Sequence, residues 1–188
     1  MKRTKCKFFI VSLLLASLLV GCGEPSSEKH PPIANQFVYY EVAGLRIKLP
    51  AQPTPNNIKL PAQAAKLVKS MVTYEIKEVH TTVVVGQVVF NIPEGNLDGA
   101  ADGAIARVKA QPGVTKFTSA IVNVAVSGLQ GRSLNMNYKN KGLTYNQYGL
   151  VFVRKNVMWQ VQVIGVGEDN QQDLEELKKT IFDSVEIQ

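Results

Sequence analysis

The sequence predicts an α+β domain, an antiparallel sheet flanked by helices in a three-layer α-β-α sandwich. Three observations carry that expectation. Alternation of apolar and polar residues runs through most of the chain after Phe37. One β-branched run, "TTVVVGQVVFN" from Thr81, is apolar at both parities, which asks for cover on both faces of its sheet. Two stretches switch to a helical period, and two helices can supply that cover.

The elements follow in order. "FVYYEVAGLRIKLP" reads as two short strands around Ala43-Gly44, in which Leu45, Ile47 and Leu49 alternate with Arg46 and Lys48 until Pro50 stops pairing. "AQPTPNNIKLPAQ", with three prolines, reads as a loop. From Val68 to Lys77, Val68, Val72, Tyr74 and Ile76 are expected on one face, with Lys69, Thr73, Glu75 and Lys77 on the other. The run from Thr81 is then a central strand, in which Gly86 suggests a bulge or close packing.

The period changes at Leu97, where Leu97, Ala101, Ala104, Ile105 and Val108 recur at helical spacing until "QPG" at 111–113. Gly99 and Gly103 cost this helix roughly 2 kcal/mol relative to alanine. With Ala106 and Ala110 they make a small face, expected to approach the sheet closely or to dock a partner. Strands resume at "VTKFTSAIVNVAV", "RSLNMNYK", "LTYNQYGLVFVR" and "NVMWQVQVIG", with Asn140-Lys141 and Lys155-Asn156 where hairpin turns belong. A last helix opens near Asp169 or Asn170, buries Leu174, Leu177 and Ile181, and can pair Glu175 with Lys179. "SVEI" closes the chain as a strand or tail.

Ahead of this domain, residues 37–188, the chain has a different character. Lys2, Arg3, Lys5 and Lys7 precede a greasy run from Phe8. The 14 residues to Gly21 span about 21 Å as a helix against about 30 Å of hydrocarbon, which fits the core of a secretory signal better than a membrane span. The run ends in Leu19, Val20, Gly21 and Cys22. These four residues resemble the lipobox of bacterial lipoproteins, which implies cleavage between Gly21 and Cys22 and lipid on the Cys22 thiol. Residues 1–21 are then a signal peptide. Residues 22–36 are a lipidated cysteine and a flexible tether with a reach of about 20 Å. Two or three acyl chains make release from the membrane negligible. Gly23 after the cysteine implies the periplasmic face of the outer membrane in a Gram-negative cell.

Cleavage alters the charge argument. The chain carries 21 basic and 15 acidic residues, a net +6, but four of the bases lie in the leader. What remains is near neutral and gives no ground for nucleic-acid binding. Cys6 leaves with the leader and Cys22 takes lipid, so no cysteine remains for a disulfide or a thiolate metal site. A domain of this length buries enough surface to fold without either.

"YEVAGLRIKLP", Gly128 to Gly131, "YGLVFVRKNVMWQVQV" and "IFDSVEI" together resemble bacterial lipoproteins of the DcrB type and the extrinsic photosystem II proteins of the PsbP type. The resemblance spans Phe37 to Ile187. It implies the PsbP-like sandwich and a non-enzymatic envelope or assembly role, and it transfers no functional residue.

Motifs for chemistry are weak. "EGNLDG", Glu94 to Gly99, looks like a calcium loop but starts with Glu and has Ile105 at the twelfth position. Helix capping by Asn96 explains it better. "GVGEDN" at 165–170 lacks the lysine of a phosphate loop. His30 falls in the tether and His80 at a strand end, with no G-x-S-x-G motif for a nucleophile. No cofactor and no metal are expected. Trp159 and Phe152 are expected to pair across strands in the core, on one face with Tyr148, Leu150, Val161 and Val163. Two-residue turns also place Ser133, Asn135, Asn137, Lys139, Thr144 and Asn146 together beyond that apolar half, with Asn135 opposite Asn146 and Asn137 opposite Thr144. This polar cluster is the candidate interaction surface.

The reading is therefore a lipid-anchored envelope protein, held to the membrane through Cys22, whose domain binds or assembles another envelope protein without catalysis. The alternatives are a small-ligand carrier and a hydrolase using carboxylates or His80.

Overall fold

A computed structural model describes residues 37–58, 65–167 and 171–188. The expected signal peptide, the Gly21–Cys22 cleavage site, the tether with His30 and the start of the last helix lie outside the described residues. The described strands are β1 (Val38–Val42), β2 (Leu45–Leu49), β3 (Thr54–Pro55), β4 (Val68–Lys77), β5 (Thr81–Phe90), β6 (Val114–Val126), β7 (Leu129–Asn140), β8 (Leu143–Arg154), β9 (Val157–Val166) and β10 (Glu186–Ile187). Helix α1 (Leu97–Lys109) follows β5, and α2 (Gln171–Asp183) follows β9.

One seven-stranded antiparallel sheet runs β3-β4-β5-β9-β8-β7-β6. After β5 the chain crosses under α1 to the far edge, and three hairpins walk back until β9 seats beside β5. β5 is buried on both faces, as its double-parity pattern requires. Val83 and Val85 join one core cluster, and Val84, Val88 and Phe90 the other. α1 covers one face through Ala101 and Val108. The other face is covered by α2 together with a three-stranded sheet, β1-β2-β10. The protein is therefore α+β, with more sheet and less helix in its outer layers than a plain three-layer sandwich.

Several local expectations hold. Phe152 faces Trp159 across β8–β9, with ring centroids 5.5 Å apart, and Trp159 Nε1 donates to the Ala43 carbonyl at 2.9 Å. Asn96 caps α1, accepting from Gly99 N at 2.9 Å, so "EGNLDG" is a helix start.

Others are corrected. The β7–β8 turn is Lys141-Gly142, at φ 50° and 84°, instead of Asn140-Lys141. A two-residue hairpin turn whose twist suits the strands wants positive φ at both positions, and Gly142 supplies the second at low cost. Ala43-Gly44 and Ser127-Gly128 repeat the solution. β3 is a short strand inside the proline-rich segment read as loop. It is possible because Pro55 stands on an edge, where a missing N–H matters least.

In β4 the register slips between Val68 and Ser70, so Val68 packs with the α1-side cluster while Tyr74 and Ile76 pack on the other face. Thr73, expected outside, is buried. At Gly86 the register is continuous on both sides, so no bulge occurs there. A Cβ on Gly99 would meet the capping Asn96 side chain, and Ala106 and Ala110 are exposed. The small face of α1 does not make the expected close approach to the sheet at these positions.

The face beneath α1 also holds polar groups. Tyr138 OH donates to Gln147 Oε1 at 3.2 Å, and Gln147 Nε2 to Gln162 Oε1 at 3.1 Å. Burial, with a smaller effect of Tyr145 stacked 5.1 Å away, raises the Tyr138 phenol well above its ordinary range. These bonds satisfy groups that would otherwise be costly to bury.

Candidate interaction site

α2 seats its apolar stripe, Leu174, Leu177 and Ile181, over the middle of the large sheet. Gly165 of β9 makes room for it, since a Cβ there would stand 2.5 Å from Leu174 Cδ2. The helix does not extend over β6 and the neighbouring part of β7. On that face Tyr148, Leu150 and Phe152 of β8 are buried. Farther out, Asn135, Asn137 and Ala120 are exposed, and Val122 is 59% exposed. The result is a shelf of sheet with α2 as its wall.

The shelf meets the wall in a groove of about 540 Å³. Leu150, Ser133, Val124 and Val126 lie on the sheet side, with Phe182 and the charged residues Glu175, Glu176, Lys178, Lys179 and Asp183 on the helix side. Lys178 pairs with Glu175 and lies 4.7 Å from the Tyr148 ring centroid, while Lys179 pairs with Asp183. The expected Glu175–Lys179 pair does not form, because Glu175 is turned to Lys178 and the Tyr148 hydroxyl. Burial works to raise the Glu175 carboxyl, but hydrogen bonds from Lys178 and Tyr148 outweigh it and hold the group below the usual carboxylate range. Burial, reinforced by Glu175, holds the Tyr148 phenol well above its own.

The residues proposed from sequence fall on this same face. Ser133 lines the groove and sits between Val122 and Leu150; Asn135 sits between Ala120 and Tyr148. The true register puts Asn137 opposite Asn146 and Lys139 opposite Thr144, two residues from the expected pairing, so the shared face survives the correction. Asn137 Nδ2 donates to Asn146 Oδ1 at 2.6 Å, and Asn146 is buried. Asn135 and Asn137 remain exposed, whereas Lys139 and Thr144 are half-buried.

The helix wall was missed, because the sequence names the buried stripe of the last helix but nothing local says which strands its charged residues overlook. His80 is half-buried beside the β4–β5 turn, where its carbonyl accepts from Val166 N at 2.9 Å, and it does not line the groove. Among the described residues, no group of three His, Cys, Asp or Glu side chains is placed to hold a metal ion. Among them also, no helix is long and apolar enough to cross a membrane.

No protein-family model and no curated protein matches the sequence. Solved structures do match. LpqN of Mycobacterium tuberculosis, described as involved in cell envelope biogenesis, aligns over 81% of this chain and 90% of its own at 15% identity and a TM-score of 0.45. The cyanobacterial PsbP, CyanoP, of Synechocystis sp. PCC 6803 aligns over 90% of this chain and 99% of its own, at 13% identity and a TM-score of 0.55. With the antiparallel sheet and its two helices already in place, the likeness to CyanoP assigns the architecture: the domain has a PsbP-like fold.

Proposed function

We propose that this chain is a lipid-anchored protein of the bacterial envelope, and that its domain is a non-catalytic binding or assembly module for another envelope protein. The observation that carries the reading is the shelf. One sheet face is covered across β8 and β9 and bare over the outer part of β6 and β7, where exposed Ala120 and Val122 lie beside Asn135 and Asn137. A partly apolar, partly amide surface beside a helix wall suits a protein partner, which gains from burying the aliphatic groups and can satisfy the amides. The leader ending at Gly21 and Cys22 supports the anchor, and the outer membrane facing the periplasm is its expected place in a Gram-negative cell. The non-enzymatic reading is supported by the groove lining, which offers no histidine or cysteine to activate or act as a nucleophile.

The test is site-specific photo-cross-linking in cells, with the probe at Asn135, at Asn137 or at Val79 in the β4–β5 turn, three strands from the shelf. The expected result is one stoichiometric envelope partner captured from the two shelf positions and not from Val79, and reduced when Cys22→Ala releases the anchor. Equal capture from all three positions, or turnover of a substrate by the purified protein that a groove substitution abolishes, would overturn it. The groove volume also falls within the range of small-molecule sites, which keeps a ligand-carrier reading in view. A thermal-shift screen with and without Leu150→Trp, which fills the groove floor, separates the two.

A further inference from the structure

We propose that β6 is where two copies of this chain join, edge to edge, as antiparallel strands about a two-fold axis through Val122. β6 is 13 residues long and, among the described residues, pairs on one side only, with β7. Its outward N–H and C=O groups form an unused ladder, and sheet proteins ordinarily blunt such an edge with charge, proline, a bulge or a covering segment. Here the bulge comes early: the register slips between Thr115 and Thr118, with Lys116 at φ 50°. Past it, Thr118 to Val126 contains no charge, proline or glycine, and the strand pairs with β7 without interruption. Ile121 is 41% exposed on one face and Val122 59% on the other, so neither outer layer shields the middle of the edge, although Val126 at its end is buried in the α2-side core.

The midpoint of that regular run is Val122. Two-fold pairing there sets Val122 against Val122, Ile121 against Asn123, Ala120 against Val124 and Ser119 against Ala125. No like charges meet, and aliphatic or β-branched side chains fill most positions. Each pair joins residues of equal parity, so the two sheets continue one another face to face. A self-complementary edge of this kind closes as a dimer and leaves no new edge at the joint.

The anchor favours a second copy over an unrelated strand. Antiparallel edges in one sheet are related by an axis normal to that sheet, so both copies present their α2 faces on the same side. Phe37, where the preceding segment enters the domain, packs against the core of that face. Both copies therefore carry Phe37 on one side of the joined sheet, which, on the lipid-anchored reading proposed above, suits attachment to one membrane. Edge pairing alone is a small contact by the standards of stable soluble dimers. Confinement of both copies to one leaflet raises their effective concentration.

The experiment uses the full chain in its membrane. Val122→Cys should convert the monomer band to one of twice its mass on mild oxidation in cells, because directly opposed residues in antiparallel strands stand at disulfide distance. Ala120→Cys alone should remain monomeric, since the axis sets Ala120 copies apart, yet Ala120→Cys co-expressed with Val124→Cys should cross-link. Adding Asn123→Lys to Val122→Cys should abolish the dimer band by charging the joint, with circular dichroism showing an unchanged fold. Exposed Val79→Cys is the background control. A Val122→Cys band no stronger than that control, equal bands from Ala120→Cys alone, or bridging of β6 only to a different protein would each overturn the proposal.

Discussion

At one edge of the large sheet the chain spends two residues, Thr54 and Pro55, and then ties them down. Thr54 Oγ1 donates to the Glu75 carbonyl at 3.1 Å, Asn56 Nδ2 to the Glu75 carboxylate at 2.7 Å, and Asn56 N to the Thr73 carbonyl at 2.7 Å. Lys77 pairs with Glu75 at 2.8 Å alongside. At the other edge β6 runs 13 residues with one bulge near its start and nothing after it. The first edge is short, proline-bearing and charged, which are the usual defences against another strand. The second lacks them from Thr118 to Val126, nine of its 13 residues. The same sheet thus blocks association on one side and permits it on the other, and the permissive side is also where α2 leaves the shelf bare.

The comparison can be sharpened first on one cross-strand pair. Leu134 of β7, fully buried, faces Ile121 of β6, which is 41% exposed. Leu134→Ala should destabilise by about 2–5 kcal/mol in urea unfolding. Ile121→Ala should cost only about 0.5 kcal/mol, the scale of a surface change. Equal losses in the dilute lipid-free domain, where edge pairing is too small a contact to hold two copies together, would mean that β6 is covered within one copy and that the contrast is lost. Next comes the helix that stops short of the shelf. Gly165→Ala forces Leu174 and with it α2 to shift, at about 1–3 kcal/mol. An unchanged midpoint in the same assay would show that α2 is not seated as described.

The bulge offers a smaller effect of opposite sign. Lys116 holds a left-handed backbone that costs an L-residue about 1–2 kcal/mol. Lys116→Gly removes that strain but adds unfolded-state entropy, so a net gain of about 0.5 kcal/mol is expected in thermal unfolding. A loss instead would mean that the Lys116 side chain holds the bulge.

The smallest effect is electrostatic and belongs to the groove wall. The Glu175 carboxyl is held below its usual range in the folded protein. Its contribution to stability is therefore fully present above the unfolded carboxyl value, about 4.3, and is lost as pH falls through the lower folded value. The Tm difference between wild type and Glu175→Gln should accordingly shrink as pH drops through that window, and a constant difference would refute the assignment.

Much of this was legible because it is local. The double parity of "TTVVVGQVVF" required a central strand, the Asn96 cap announced α1, and a two-residue turn at Lys155-Asn156 paired Phe152 with Trp159. The β7–β8 register was misplaced by two because the turn was read on Asn140 and not on Gly142, the residue that most readily takes positive φ. Since the slip was even, it left every side chain on its face, and the polar cluster was placed on the right surface with the wrong partners. The slip near Val68 is odd, so there the facing itself failed.

Burial of Thr73, the edge position of β6 and the reach of α2 depend on strand order, which no local pattern encodes. Half of the candidate site was visible for the same reason. Ser133, Asn135 and Asn137 share a strand, whereas Phe182 and Glu175 meet them only when α2 folds back from β9 over the sheet, a packing as non-local as the crossover after β5.

That crossover also bears on the order of events during folding. β6 to β9 are joined by three two-residue turns, so each hairpin closes cheaply and early. β5 must wait for β9, as the pairing of Gln87 with Trp159 shows, until α1 and all three hairpins have been traversed. The β5–β9 seam is the non-local step, and non-local strand pairing slows folding. Until it closes, the four-strand meander has two open flanks, β9 and β6, and afterwards only β6. The last seam to form thus decides for how long a nascent molecule has a second, unintended place to stick.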